Sequence, residues 1–284
     1  MTNSQTILIS LVCSFLLLFI LFSLFVNFYL IDPNSDPLNK KDYSNIQYKK
    51  PLIISLSSIP SRIKKSIKYI EDNIKKFPKD AIIEINVPYF SKRLNKEYPE
   101  VTTNCDKIKI YRVDEDLGPI TKILPTLERH VNDDCFIVSI DDDQKYPVNY
   151  IEKIYKRAEL DNFGSVITCS QDLWSKVQPN VCGFAGVGYP SKIVNAEDLA
   201  NFYHKLADQQ FCVRSDDFVI SLYLFENNIR ITHLKQLRKR SDNKDIMDDP
   251  LKYAKINDDE AEKYIHKKNY EMCYDYYMNL KNEE

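Results

Sequence analysis

The run Phe136-Ile137-Val138-Ser139-Ile140 leads straight into three carboxylates, Asp141-Asp142-Asp143, and Gln144-Lys145-Tyr146-Pro147 follows. An Ile/Val-rich run of this length predicts a strand buried in a sheet. Side chains alternate along a strand, so Asp141 and Asp143 are expected on one side and Asp142 on the other. Carboxylates crowded at a strand's carboxyl end repel unless a cation or a shared proton relieves them. A hard divalent ion such as Mn²⁺ or Mg²⁺, itself holding a diphosphate, answers that need. Pro147 stops the extended chain and a helix is expected behind it.

The order of elements around this stretch predicts an α/β sandwich with a mostly parallel sheet. Residues 52–56 read as a first strand. Ser57-Ser58-Ile59-Pro60-Ser61-Arg62 reads as its loop, with Ser61 as N-cap of a helix whose Ile63, Ile67, Ile70, Ile74 and Phe77 share one face. Strands follow at 81–87 and 107–113, with a short helix at 91–98 between them. Gly118-Pro119 forces a turn, and Lys122 opens the next helix. After the organising strand come a helix through 151–160 and a strand at 165–169. Ligands of such sheets bind beyond the strands' carboxyl ends, where Arg62, Lys122 and the Asp triplet fall.

The chain holds only five glycines, and Gly183, Gly186 and Gly188 crowd one stretch. That stretch reads as a pocket loop; its spacing is not a dinucleotide fingerprint. Trp174, the only tryptophan, is expected to pack partly buried. Asp216-Asp217 precede an apolar helix at 218–225. Ser215 or Asp216 suffices as the N-cap, which leaves Asp217 free for work as a base toward a hydroxyl. His233 ends a short strand at 229–234, as a structural histidine or a metal ligand.

Residues 7–31 carry no charge and are longer than the ~30 Å hydrocarbon core requires of a helix. With no basic leader and no small-x-small site, they read as an uncleaved single-pass anchor rather than a signal peptide. Residues 1–6 form a tail, 32–50 a stem, 51–237 the main domain, 238–257 a charged loop, and 258–284 a Tyr-rich helix lying on the domain or near the membrane. Lys40, Lys41, Lys49 and Lys50 follow the anchor, so the positive-inside rule places the domain in the cytoplasm. Anchored Golgi enzymes have the opposite arrangement. The absence of any Asn-x-Ser/Thr sequon and of paired spacing among the seven cysteines sides with the cytoplasm, with Cys135 and Cys169 as buried free thiols. No CxxC or Cys/His cluster indicates zinc. The net charge of −2, with Lys and Arg dispersed, gives no sign of a nucleic-acid surface, and no nucleic-acid partner is expected.

Taken together, the 52–56 strand with its Arg62 loop, Gly118-Pro119-Ile120-Thr121-Lys122, Asp141-Asp142-Asp143, the 183–188 loop and Asp216-Asp217 resemble a nucleotide-diphosphosugar glycosyltransferase of the A-type (GT-A) fold, family 2-like, over residues 51–234. The resemblance implies a Rossmann-like sandwich and a non-processive, Mn²⁺- or Mg²⁺-dependent transferase on an endomembrane. Its partners would be a nucleotide-diphosphate sugar donor and a glycan, lipid or protein hydroxyl acceptor. It implies that Asp141 contacts the ribose or the metal and that Asp143 coordinates the metal, with His233 as a further ligand. Arg62, Lys122, Asp141 and Asp142 would hold the nucleotide sugar, and Asp217, with Asp216 behind it, would be the acceptor's base. The chain lacks the Gln/Arg-x-x-Arg-Trp sequence of processive synthases. An inactive anchored glycan-binding or scaffold protein and a metal-dependent nucleotidyltransferase are the competing readings. Phosphotransferases with an Asp nucleophile are disfavoured because the first strand ends in Ser-Ser-Ile-Pro.

Overall fold

A computed structural model describes residues 46–170, 175–234, 241–242 and 265–283. The proposed anchor at 7–31 and most of the charged loop lie outside these residues. None of the described helices is long and apolar enough to cross a membrane.

Eleven strands are described. In chain order they are β1 (Leu52–Ser57), β2 (Ile82–Pro88), β3 (Phe90–Ser91), β4 (Lys96–Glu97), β5 (Ile108–Val113), β6 (Phe136–Ser139), β7 (Gln144–Lys145), β8 (Val166–Thr168), β9 (Val187–Pro190), β10 (Ile231–His233) and β11 (Ser241–Asp242). Seven of them form one sheet in the order β10-β8-β9-β6-β1-β2-β5. All its pairings are parallel except those of β9, which runs antiparallel to both β6 and β8. The expected mostly parallel sheet is therefore present. Residues Leu52 to Leu56 and Phe136 to Ser139 are buried throughout, as a sheet covered on both faces requires.

The helices are α1 (Ile63–Asp72), α2 (Leu124–Arg129), α3 (Tyr150–Leu160), α4 (Ala196–Leu206), α5 (Gln210–Val213), α6 (Asp216–Glu226) and α7 (Ile265–Glu283). On one face, Tyr69 and Ile70 of α1 and Tyr150 and Ile151 of α3 line a common cavity with Leu56 and Ile140. The rings of Phe136, Tyr155 and Phe163 meet edge to face nearby. On the other, Ile53, Ile137, Val187 and Tyr189 join a core with α2, α4, α5, α6 and α7. Each such fully buried side chain contributes ~1.5–3 kcal/mol. Helix α6 is apolar almost all round and buried accordingly.

Several expectations need correction. Residues 91–98 form the β3–β4 hairpin, not a helix. Asn95, at φ 49°, takes the left-handed backbone that closes its turn. Ser61 is not the cap of α1: Arg62 occupies that position, with no side-chain capping bond. The glycine stretch is not all loop, because β9 emerges from it. A Cβ on Gly188 would lie 2.8 Å from Ile154 Cγ2 and overlap Phe136, so glycine lets β9 pass beneath those side chains. The cysteines are not all free. Cys135 and Cys169 are buried and form no disulfide, as expected, but Cys212 of α5 is bonded to Cys273 of α7, with Cα atoms 5.1 Å apart. Helix α7 thus lies on the domain, with Tyr270 against Phe218 and Tyr277 against Phe202.

Candidate active site

The loops after β1 and β6 meet through one guanidinium. Arg62, 5 % exposed, donates from Nη2 to Asp142 Oδ1 at 2.9 Å and from Nη1 to Asp143 Oδ2 at 3.0 Å. Asp142 also accepts from the hydroxyls of Ser58 and Ser66. Burial raises the Asp142 carboxyl to about 6, against the opposing pull of Arg62 and Ser58. This pairing differs from the alternation expected of a strand. β6 ends at Ser139, so the triplet lies in the turn beyond it, and Asp142 and Asp143 share one cation while Asp141 goes elsewhere.

Asp141 goes to Lys122. The lysine sits in the 3-10 turn Gly118–Lys122, fixed to β1 by the Ser55 hydroxyl, which donates to the Lys122 carbonyl. Its buried Nζ lies 3.0 Å from Asp141 Oδ1 and 3.1 Å from Asp216 Oδ2. Burial alone would pull this ammonium down, but Asp141, Asp216 and Asp217 together hold it well above its ordinary value. Asp217 Oδ1 accepts the Gly183 N–H at 2.8 Å. Burial, then the neighbouring Asp216, push the Asp217 carboxyl well up, while Lys122 pulls the other way. A Cβ on Gly183 would lie 2.6 Å from Asp217 Oδ1 and strike Lys122 Nζ, so a side chain there would push these two groups aside. Tyr146 completes the floor: its hydroxyl accepts the Asp141 N–H at 2.9 Å and donates to the Phe184 carbonyl at 3.2 Å.

No family model matches the chain, and no curated protein sequence matches it. Solved structures do show likeness. A mannosyltransferase from Pyrobaculum calidifontis, in complex with GDP-mannose and Mn²⁺, aligns at 13 % identity and TM-score 0.45 over 70 % of this chain and 60 % of its own. The chain thus spans under two thirds of that protein. A putative glucose-1-phosphate thymidylyltransferase from Bacillus anthracis aligns at 13 % identity and TM-score 0.35, over 68 % and 89 % of the two chains. Glucosyl-3-phosphoglycerate synthase from Mycobacterium tuberculosis aligns at 10 % identity and TM-score 0.33, over 68 % and 86 %. Likeness at this level fixes neither family nor substrate.

Among the described residues no group of three or more His, Cys, Asp or Glu side chains is gathered as a metal cage. His233 is in register with Thr168, which is in register with Val187 and through it with Ser139. Three strand spacings, about 14 Å, separate its backbone from β6, so it is not brought to the Asp triplet. Asp141 and Asp143 are both partly exposed, with one oxygen of Asp141 on Lys122 and one of Asp143 on Arg62. Carboxylate oxygens completed by substrate phosphates and water are the donor chemistry of Mg²⁺ or Mn²⁺, and these two carboxylates are of that type. Trp174 falls outside the described residues. Sequence reasoning passed over Ser66, which donates to Asp142 from within α1 and carries no motif to mark it.

Proposed function

We propose that the protein transfers a sugar from a nucleotide-diphosphate sugar to a hydroxyl acceptor at the carboxyl ends of β1 and β6. The observation that carries this reading is the convergence of Asp141, Asp216 and Asp217 on Lys122, beside Arg62 with Asp142 and Asp143. Carboxylates from two distant stretches, one of them with raised proton affinity, meet where an open α/β sheet binds ligands.

In this reading Asp217 is the base. Its raised proton affinity suits it to take the proton of the acceptor hydroxyl as that oxygen attacks the anomeric carbon. The bond from that carbon to the diphosphate oxygen breaks, and the nucleoside diphosphate leaves. Attack from the face opposite the leaving group inverts the anomeric centre. Lys122 holds Asp216 and Asp141 in place and restrains the Asp217 carboxyl from rising further. Arg62 fixes Asp142 and Asp143 at the donor side. A divalent ion held by Asp141 and Asp143 would supply charge neutralisation for the departing diphosphate. Attachment through residues 7–31 would bring the site to a glycan, lipid or protein acceptor at a membrane.

The test is donor turnover. The full chain is incubated with UDP- and GDP-sugars and Mn²⁺, and nucleoside diphosphate release is measured. One donor class is expected to turn over, and Asp217→Asn is expected to lower kcat by ~10²–10⁴ with donor affinity retained. Release from no donor, or a wild-type rate in the variant, overturns the reading.

A further inference from the structure

Lys122 is held at its backbone as well as at its ammonium, by buried polar side chains to which the proposed chemistry gives no task. The residue ends the 3-10 turn Gly118–Lys122. Three residues on stands Pro125, which has no N–H to offer the Lys122 carbonyl. The Thr126 N–H goes to the Ile123 carbonyl at 3.1 Å. The Ser55 hydroxyl fills the gap by donating to the Lys122 carbonyl.

Behind Ser55 lies a polar patch on one face of the sheet. Ser55 of β1 is in register with Glu84 of β2, and Asn86, two residues along β2, shares that face. Ser55, Asn86 and Thr126 are fully buried, and Glu84 is nearly so. Arg129, at the end of α2, covers the patch. It donates to Glu84 Oε2 from Nε at 3.1 Å and from Nη2 at 2.6 Å. Nη2 also reaches Asn86 Oδ1 at 2.7 Å and Thr126 Oγ1 at 3.0 Å. The guanidinium carbon lies 3.9 Å from the centre of the Tyr111 ring of β5. Asn86 Nδ2 donates to Thr126 Oγ1 at 3.0 Å, and Thr126 Oγ1 lies 2.7 Å from Ser55 Oγ.

Proton counting sets the direction of these bonds. A guanidinium only donates, a carbonyl only accepts, and a hydroxyl has one proton to give. Ser55 gives its proton to the Lys122 carbonyl, so the Thr126 hydroxyl must donate to Ser55 Oγ. Thr126 Oγ1 then accepts from Arg129 and Asn86. The donors run one way, from Arg129 through Thr126 and Ser55 to Lys122, and each bond polarises the next. An ion pair with Glu84 would by itself hold α2 on β2. The Nη2 contacts with Thr126 and Asn86 extend that hold toward the site.

We propose that Arg129 and Thr126 are positioning residues for Lys122, acting through the Ser55 hydroxyl to set where its ammonium meets Asp141 and Asp216. Naming Lys122 a residue of a sugar-transfer site rests on the transferase reading; the hydrogen-bond chain that positions it does not.

The test is Thr126→Val in the full chain, which removes the middle hydroxyl at nearly constant shape and leaves the Arg129–Glu84 pair in place. Thr126→Ser, which keeps the hydroxyl, is its control. Should Thr126→Val fold poorly, Glu84→Gln combined with Arg129→Gln cuts the chain at its start without leaving a buried charge alone. Each protein is treated with an amine-acylating ester, and modification of Lys122 is followed by peptide mass spectrometry. Amide hydrogen exchange at Leu127 and His130, whose N–H groups donate to the Ile123 and Thr126 carbonyls, reports on α2 itself. Lys122 is expected to react about fivefold faster in Thr126→Val, as the loss of one hydrogen bond implies. Exchange in α2 is expected to stay unchanged, and Thr126→Ser to keep the wild-type rate. In wild type that turns over a nucleotide sugar, Thr126→Val is expected to lower kcat about tenfold with donor Kd retained. Faster Lys122 modification in a chain that turns over no donor keeps the positioning role and removes the transferase reading. Unchanged Lys122 modification, a rise matched by equal loosening of α2, or a wild-type kcat in Thr126→Val overturns the proposal.

Discussion

Lys122 touches carboxylates from both halves of the candidate site, so its removal is an informative residue-scale change. Lys122 lowers the Asp217 carboxyl that burial and Asp216 raise. In Lys122→Met that restraint is lost, and the base stays protonated to higher pH. The acidic limb of the kcat/KM profile is therefore expected to move upward in pH; an unmoved limb would separate Lys122 from the base. Gly183→Ala is expected to cost activity about tenfold or more with little loss of stability, because the added carbon strikes the Lys122–Asp217 contact. Asp142 carries a stability prediction. Its folded carboxyl is raised to about 6, so the folded state binds the extra proton between about 4 and about 6, and stability from this group is lost as pH rises through that window. The change amounts to roughly 3 kcal/mol. Urea denaturation at pH 4.5 and 7 should show that part of the pH dependence in the wild type and not in Asp142→Asn. The Asp triplet was legible because it follows the apolar run of β6, and Asp216-Asp217 because they precede the apolar run of α6. Their pairing was not, since it depends on where β6 stops, and a one-residue change in strand length reverses which side a carboxylate faces.

At the scale of elements, buried strands and long helices could be read from periodicity, and the irregular pieces could not. β9 was hidden because Val187-Gly188-Tyr189-Pro190 combines glycine and proline in a strand that is short and central. Its glycine answers to Phe136 and Ile154, which lie far away in sequence. The 91–98 hairpin was hidden because its two strands have two residues each, too few to show alternation. Helix α4 was not anticipated, although Asn195, which accepts the Asp198 N–H, caps it. The α5–α7 disulfide was invisible because its cysteines are 61 residues apart. A loop of that length gives a closure effect of about 4 kcal/mol in the chain-entropy account. Cys273→Ser is accordingly expected to lower unfolding stability by about 2–4 kcal/mol in urea titrations. A wild-type midpoint in the variant would show that packing alone holds α7.

For the molecule as a whole, an anchor at residues 7–31 would make that disulfide bear on which side of a membrane the domain faces. Disulfides persist in oxidising compartments and are rare in the cytosol. With such an anchor, the Cys212–Cys273 pairing predicts a luminal domain, against the positive-inside expectation. Protease treatment of sealed microsomes should leave residues 46–284 intact; complete digestion would place the domain in the cytoplasm. The central claim concerns the carboxyl ends of β1 and β6, and calorimetric titration of the full chain with UDP and GDP, with and without Mn²⁺, tests it most directly. The account predicts that one nucleoside diphosphate binds, more tightly with Mn²⁺, and that Asp143→Asn removes the Mn²⁺ enhancement. Binding of neither nucleotide by folded protein, in either condition, would contradict it.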